Sequence, residues 1–118
     1  LIAPERFLGY PSLPEQDIYS YGITLLNCFH QLSSEEEDFL PSMILDSILK
    51  DGHKPKTARD TLKLLEKDEE FQPISIYKLD STNPFYAILG TMTKIDSRQR
   101  YSTVTEAIEE VKEVMRKL

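Results

Sequence analysis

Two histidines, one cysteine, four glycines and 20 carboxylates are the side chains and turns through which this 118-residue sequence could do chemistry. The glycines stand at positions 9, 22, 52 and 90. That is too dispersed for a loop of successive backbone N–H groups around a phosphate. His30 and His53 are separated by an acidic stretch, and no His-Glu-x-x-His spacing sets two imidazoles on one helical face for zinc. Both are expected to be surface or structural residues. Cys28 stands alone, which rules out an internal disulfide and a cysteine-based zinc centre. Its apolar neighbours predict a small buried side chain. No serine lies in Gly-x-Ser-x-Gly, and paired carboxylates are too common in so acidic a chain to single out an acid–base pair. The residue types nominate no nucleophile, no general base and no metal site.

Charge narrows the partners. Fourteen Lys and Arg against 20 Asp and Glu leave a net charge of -6. An acidic surface repels nucleic-acid phosphates and anionic lipid, so neither nucleic acid nor a membrane is expected as a partner. The only basic concentration, Lys50, His53, Lys54, Lys56 and Arg59, is sparse and interrupted. No apolar run approaches the roughly 20 residues of a membrane span, and no signal-peptide pattern opens the sequence. A reducing, cytoplasmic setting is expected. With 40% apolar and 29% charged residues, the chain reads as one globular domain or one lobe of a larger one.

The elements predicted to hold this chain together are helical. Pro4, Gly9, Pro11 and Pro14 leave room only for a short turn at the start. From about 16 to 32 there is no proline, and Ile18, Tyr19, Tyr21, Ile23, Leu25, Leu26, Cys28, Phe29 and Leu32 wrap around a helix instead of forming one stripe. That pattern predicts a central helix buried on most sides. The acidic run Ser33–Asp38 reads as a solvated loop or exposed first turn. A helix over 41–50 follows, opened by Pro41 and stopped by Asp51-Gly52. Residues 57–69 predict a weaker helix with Ala58, Leu62 and Leu65 as a narrow stripe, and 74–79 alternates briefly like an extended segment. Asn83-Pro84 opens another helix running to about Asp96, with Phe85, Ile88, Leu89, Met92 and Ile95 on one face. The last, about 103–118, starts at Thr103-Val104-Thr105-Glu106, with capping-box spacing, and sets Val104, Ile108, Val111, Met115 and Leu118 on one face. The fold class expected is all-α.

Three separated pieces carry a resemblance. Ala3-Pro4-Glu5 resembles the motif that closes a protein kinase's activation segment. Asp17-Ile18-Tyr19-Ser20-Tyr21-Gly22 is similar to that family's Asp-x-Trp-Ser-x-Gly, with tyrosine at the aromatic position. Asp96-Ser97-Arg98-Gln99-Arg100-Tyr101-Ser102 resembles its Asp-Pro-x-x-Arg-Pro-Ser/Thr, with serine and tyrosine where prolines usually stand. Order and spacing make the set specific where a lone Ala-Pro-Glu is not. The resemblance spans 1–118, with residues of about 56–79 as an insertion carrying its own helix, either a spacer or a place for a partner.

The resemblance implies a kinase C-lobe-like subdomain, the C-terminal part of a protein kinase with a Ser/Thr or tyrosine-kinase-like parent that transfers phosphate from Mg-ATP to a protein hydroxyl. It implies a buried ion pair between Glu5 and Arg100, since the planar guanidinium can hold a carboxylate bidentately. It makes Asp17 the anchor of the catalytic loop in the intact family; without that loop Asp17 would cap its own helix or face solvent. Leu1 and Ile2 would be remnants of the substrate-receiving surface. Gly22 would allow a neighbour to approach closely. The family's catalytic and ATP-binding residues all precede Ala-Pro-Glu, so no catalytic, cofactor-binding or metal residue is expected within this chain. Its own capacity would be to offer helical surfaces, especially 40–52, to a protein substrate or regulator, and to self-associate through exposed lobe surface. Two rival expectations stand beside this one: a pseudokinase with the same lobe, and an unrelated helical interaction module without catalysis.

Overall fold

The computed structural model describes residues 2–118, and among these there is no β-strand; the fold is all-helical. A 3-10 turn, Pro4–Leu8, comes first, closed by Gly9 in the left-handed region (φ 80°). Helix α1 spans Pro14–Phe29, α2 Ser34–Glu37, α3 Pro41–Lys50 and α4 Pro55–Lys67. After a 3-10 turn, Glu69–Phe71, come α5, Pro73–Ile76, and α6, Tyr86–Met92. A further 3-10 turn, Ser97–Gln99, precedes α7, Val104–Lys117. Proline opens α1, α3, α4 and α5, where its missing N–H is no loss and its fixed φ suits the first turn.

Two cores hold these elements. In the first, Ile18, Tyr19, Ile23 and Leu26 of α1 meet Ile88, Leu89 and Met92 of α6, with Ile74, Tyr77 and Leu32 closing the sides. In the second, Leu45 of α3 meets Ala58, Leu62 and Leu65 of α4, with Ile95 beneath. Each fully buried Leu or Ile contributes about 1.5–3 kcal/mol. Gln72 joins the cores: its side chain is buried and its Oε1 accepts the Ile95 N–H at 3.1 Å. Residues 56–79 are thus not a solvated spacer, since they supply much of the second core and part of the first.

Gly22 lies where α1 crosses α6. A Cβ placed there would stand 2.5 Å from Thr93 Cγ2 and 2.9 Å from Met92 Cβ, so the two helices approach through the missing side chain.

Five expectations need correction. Helix α1 is buried along one face only: Tyr21 is 60% exposed, and Leu25 and Phe29 are exposed beside it. Cys28 is also exposed, because it falls on that open side. The 74–79 alternation forms no strand; Pro73 starts a helical turn instead, and Ile74 and Tyr77 reach the core at helical spacing. On α7 four residues of the expected stripe, Val104, Ile108, Met115 and Leu118, are exposed while its fifth, Val111, packs on the core, and the helix docks through Ala107, Val111 and Val114, a face rotated from the sequence stripe. Helix α6 begins two residues after Pro84, because Asn83 Oδ1 takes the Phe85 N–H (2.9 Å) in a turn before the helix, and it ends at Met92, short of Asp96.

Candidate functional site

Arg100 is where the chain's distant parts are tied together. It leaves the 3-10 turn Ser97–Gln99 in an extended conformation, which aims its side chain inward. Nη1 donates to Glu5 Oε1 at 2.6 Å and Nη2 to Glu5 Oε2 at 3.0 Å, a bidentate ion pair across 95 positions of sequence. The remaining N–H groups go to carbonyls: Nη1 to Glu15 O (3.1 Å), Nη2 to Ile95 O (3.1 Å) and Nε to Lys94 O (2.6 Å). All five guanidinium donors are thereby used, which is what a buried arginine requires. The pair fastens the Pro4–Leu8 turn, the start of α1 and the segment between α6 and α7.

Tyr19 closes the site from below. Its ring centroid lies 4.7 Å from the Arg100 guanidinium carbon, within reach of a cation–π attraction. Tyr19 is 1% exposed, and its hydroxyl has no hydrogen-bond partner among the described residues. Burial pushes that hydroxyl's pKa far above the usual tyrosine range, with the Arg100 charge offsetting only part of the effect. It therefore stays neutral.

A cavity of about 390 Å³ opens beside the pair, lined by Tyr10, Glu15, Arg59, Lys63, Glu66 and Arg98 among others. Arg59 sits over the Tyr10 ring at 5.8 Å. Partial burial, followed by the nearby Asp96 charge, raises the Glu66 pKa. Asp96 behaves oppositely: Arg98 Nε and Nη2 reach its two carboxylate oxygens at 3.0 and 2.9 Å, and these bonds lower its pKa.

The residues singled out in the sequence are distributed unevenly about this site. Glu5 and Arg100 are in direct contact. Asp17 lies in the first turn of α1 with its side chain toward solvent; Leu13 occupies the cap position without a side-chain cap. Ile2 is exposed, and Leu1 lies outside the described residues. His30 and His53 are exposed, and the basic residues from 50 to 59 do not act as a patch, since Lys50 pairs with Asp46 (2.9 Å) and Arg59 turns to Tyr10. Tyr19, Gln72 and the Glu15 carbonyl were not singled out as site residues. Only Tyr19 left a signal, as the aromatic residue two after Asp17.

Among the described residues no group of three or more His, Cys, Asp or Glu is arranged to hold a metal ion, and no helix is long and apolar enough to cross a membrane. Compared with protein-family models, curated proteins and solved structures, the chain matches none.

Proposed function

We propose that this chain is the C-terminal portion of a protein kinase large lobe, whose parent transfers phosphate from Mg-ATP to a protein hydroxyl. The observation that carries this reading is the Glu5–Arg100 pair. Two charges 95 residues apart, marked by motif resemblance alone, meet bidentately in the interior with every other guanidinium donor satisfied. A chance match of motifs gives no reason for that contact. The close approach at Gly22, the glycine of the second motif, adds weight. In this reading the groups that hold Mg-ATP lie outside these 118 residues, and no step of the transfer is assigned to residues 2–118. The chain's task is to anchor the activation-segment end and to present helical surfaces to a protein substrate or regulator in the cytoplasm.

The exposed apolar stripes on α1 and α7 fit a lobe that packs on further protein, and they equally favour a second reading, a helical interaction module without catalysis. The test begins with the coding sequence upstream of Leu1. The longer product, if one is encoded, is then assayed for Mg-dependent transfer of ³²P from ATP to casein. Under the kinase reading Asp17→Ala cuts transfer more than tenfold in the longer product yet leaves the 118-residue chain's stability unchanged. A longer product that neither binds ATP nor transfers phosphate, or the absence of upstream coding sequence, replaces the kinase reading with the interaction module.

A further inference from the structure

A groove of about 530 Å³ lies far in sequence from the motif residues, between the end of α2 and the segment that follows α4. Its apolar floor is Phe39, Phe71 and Ile76. Phe39 is 61% exposed. The rim is Glu36, Glu70 and Lys78.

The two walls are fixed by their own caps. Ser33 Oγ accepts the Glu36 N–H at 3.3 Å while Glu36 Oε1 accepts the Ser33 N–H at 3.3 Å, a reciprocal capping box. Asp68 Oδ1 accepts the Glu70 N–H at 3.0 Å. Glu36 and Glu70 line the groove, and each belongs to an acidic run, 35–38 with four carboxylates and 68–70 with three, that contains no cation. All seven are exposed or half-exposed, and none forms an ion pair among the described residues. Lys78, across the rim, is the one cation among the described residues that line the groove.

We infer that this groove docks a basic peptide segment bearing one bulky apolar side chain, the apolar group entering between Phe39 and Phe71 and the Lys or Arg residues meeting the acidic walls. Two features fix that occupant's chemistry together. Exposed aromatic floor offers burial to one large apolar group, and a surrounding field of unpaired carboxylates attracts cations and repels acidic competitors. An acidic peptide would meet like charge on both walls. The inference rests on these residues alone and does not depend on the kinase reading.

The probe is a capped decapeptide of lysines around a central tryptophan, with two controls: every lysine replaced by glutamate, and the tryptophan replaced by alanine. Binding is followed by tryptophan fluorescence anisotropy at low salt and by ¹H–¹⁵N chemical-shift changes. The expected result is shifts centred on 36–39 and 70–78, at least fivefold weaker binding on removing the tryptophan, and no binding of the glutamate control. Phe39→Ala and Glu70→Lys each weaken binding at least fivefold, while Glu109→Lys, the same charge change on α7, does not. Lys78→Gly tightens it. These residues are solvent-facing, and circular dichroism checks that each variant folds. Equal weakening by Glu70→Lys and Glu109→Lys would mean diffuse attraction of a polycation to an acidic protein, and the inference fails. It fails as well if Phe39→Ala instead abolishes self-association, since the groove then belongs to a second copy of the chain.

Discussion

Arg100 grips Glu5 with two parallel hydrogen bonds of 2.6 and 3.0 Å while its other donors hold the carbonyls of Glu15, Lys94 and Ile95. One side chain thereby fixes the Pro4–Leu8 turn to both the start of α1 and the chain after α6. Removing either partner leaves a buried charge uncompensated, so Glu5→Ala or Arg100→Ala should cost about 3–5 kcal/mol. Arg100→Lys should recover little, because an ammonium cannot supply a planar fork to the carboxylate and three carbonyls at once. Urea denaturation of the three variants checks this; a loss below about 1 kcal/mol for Glu5→Ala would show the pair to be dispensable.

Gly22 and Thr93 are coupled through space that only glycine leaves free. Alanine in a helix interior normally gains about 1 kcal/mol over glycine. Here the added Cβ would lie 2.5 Å from Thr93 Cγ2, and overpacking costs about 1–3 kcal/mol. Gly22→Ala should therefore destabilise the protein. Thr93→Ser removes the clashing methyl, so the double variant should lose less than the sum of the singles, with Met92 Cβ at 2.9 Å limiting the recovery. Thermal unfolding of the four-member cycle measures the coupling.

Tyr19 carries a buried hydroxyl with no partner among the described residues, set beneath the Arg100 pair. An unsatisfied buried polar group costs about 1–3 kcal/mol. Tyr19→Phe deletes it and keeps the ring under the guanidinium, so stability should stay level or rise. Tyr19→Leu, which loses the ring face as well, should fall. A loss on Tyr19→Phe, measured by urea denaturation, would mean that the hydroxyl is hydrogen-bonded in solution.

Local signals in the sequence located the elements better than they oriented them. Prolines 14, 41, 55 and 73 each sit at a helix start, and Ser33 and Thr103 each cap one, because caps and prolines act within a turn or two. Orientation depends on what lies opposite. The periodicity of α7 pointed to Val104, Ile108, Val111, Met115 and Leu118; of these Val111 packs on the core, and the helix turns Ala107 and Val114 inward beside it. For α1, apolar residues on every side were legible, but burial on every side requires a neighbour on the Tyr21–Leu25–Phe29 flank. The contact of Glu5 with Arg100 was legible only through motif resemblance, since no periodicity connects residues 95 apart. The groove around Phe39 left a fainter mark: one phenylalanine after an acidic run that would otherwise be simple solvated chain.

That open flank predicts self-association. Leu25 and Phe29 line, with Phe85, Ile88, Leu89 and Val111, a wholly apolar cleft between α1, α6 and α7. Exposed Ile108 and Met115 extend the apolar surface along α7. Sedimentation velocity should show the average mass rising with concentration, and Phe29→Gln with Met115→Gln should restore a monomer. A monodisperse wild-type monomer at millimolar concentration would remove this prediction.

Glu66 and Asp96 face the same cavity with opposite pH behaviour. Arg98 lowers the Asp96 pKa on folding, so Asp96 stabilises the fold above the unfolded value, about 3.9, and that contribution is lost as pH falls through the lowered one. Burial raises the Glu66 pKa, so Glu66 favours the fold below its unfolded value, about 4.3, and the benefit is lost as pH rises through the raised one. Asp96→Asn should then cost up to about 1 kcal/mol at pH 7 through the lost charge-assisted pairing with the exposed Arg98, since an amide oxygen still accepts the Arg98 N–H, and the gap should narrow toward pH 3. Glu66→Gln should stabilise slightly at pH 7 and make no difference near pH 4. Urea midpoints of both variants across pH 3–8 check the signs. Parallel curves for Glu66→Gln and wild type would show that burial does not perturb this carboxylate.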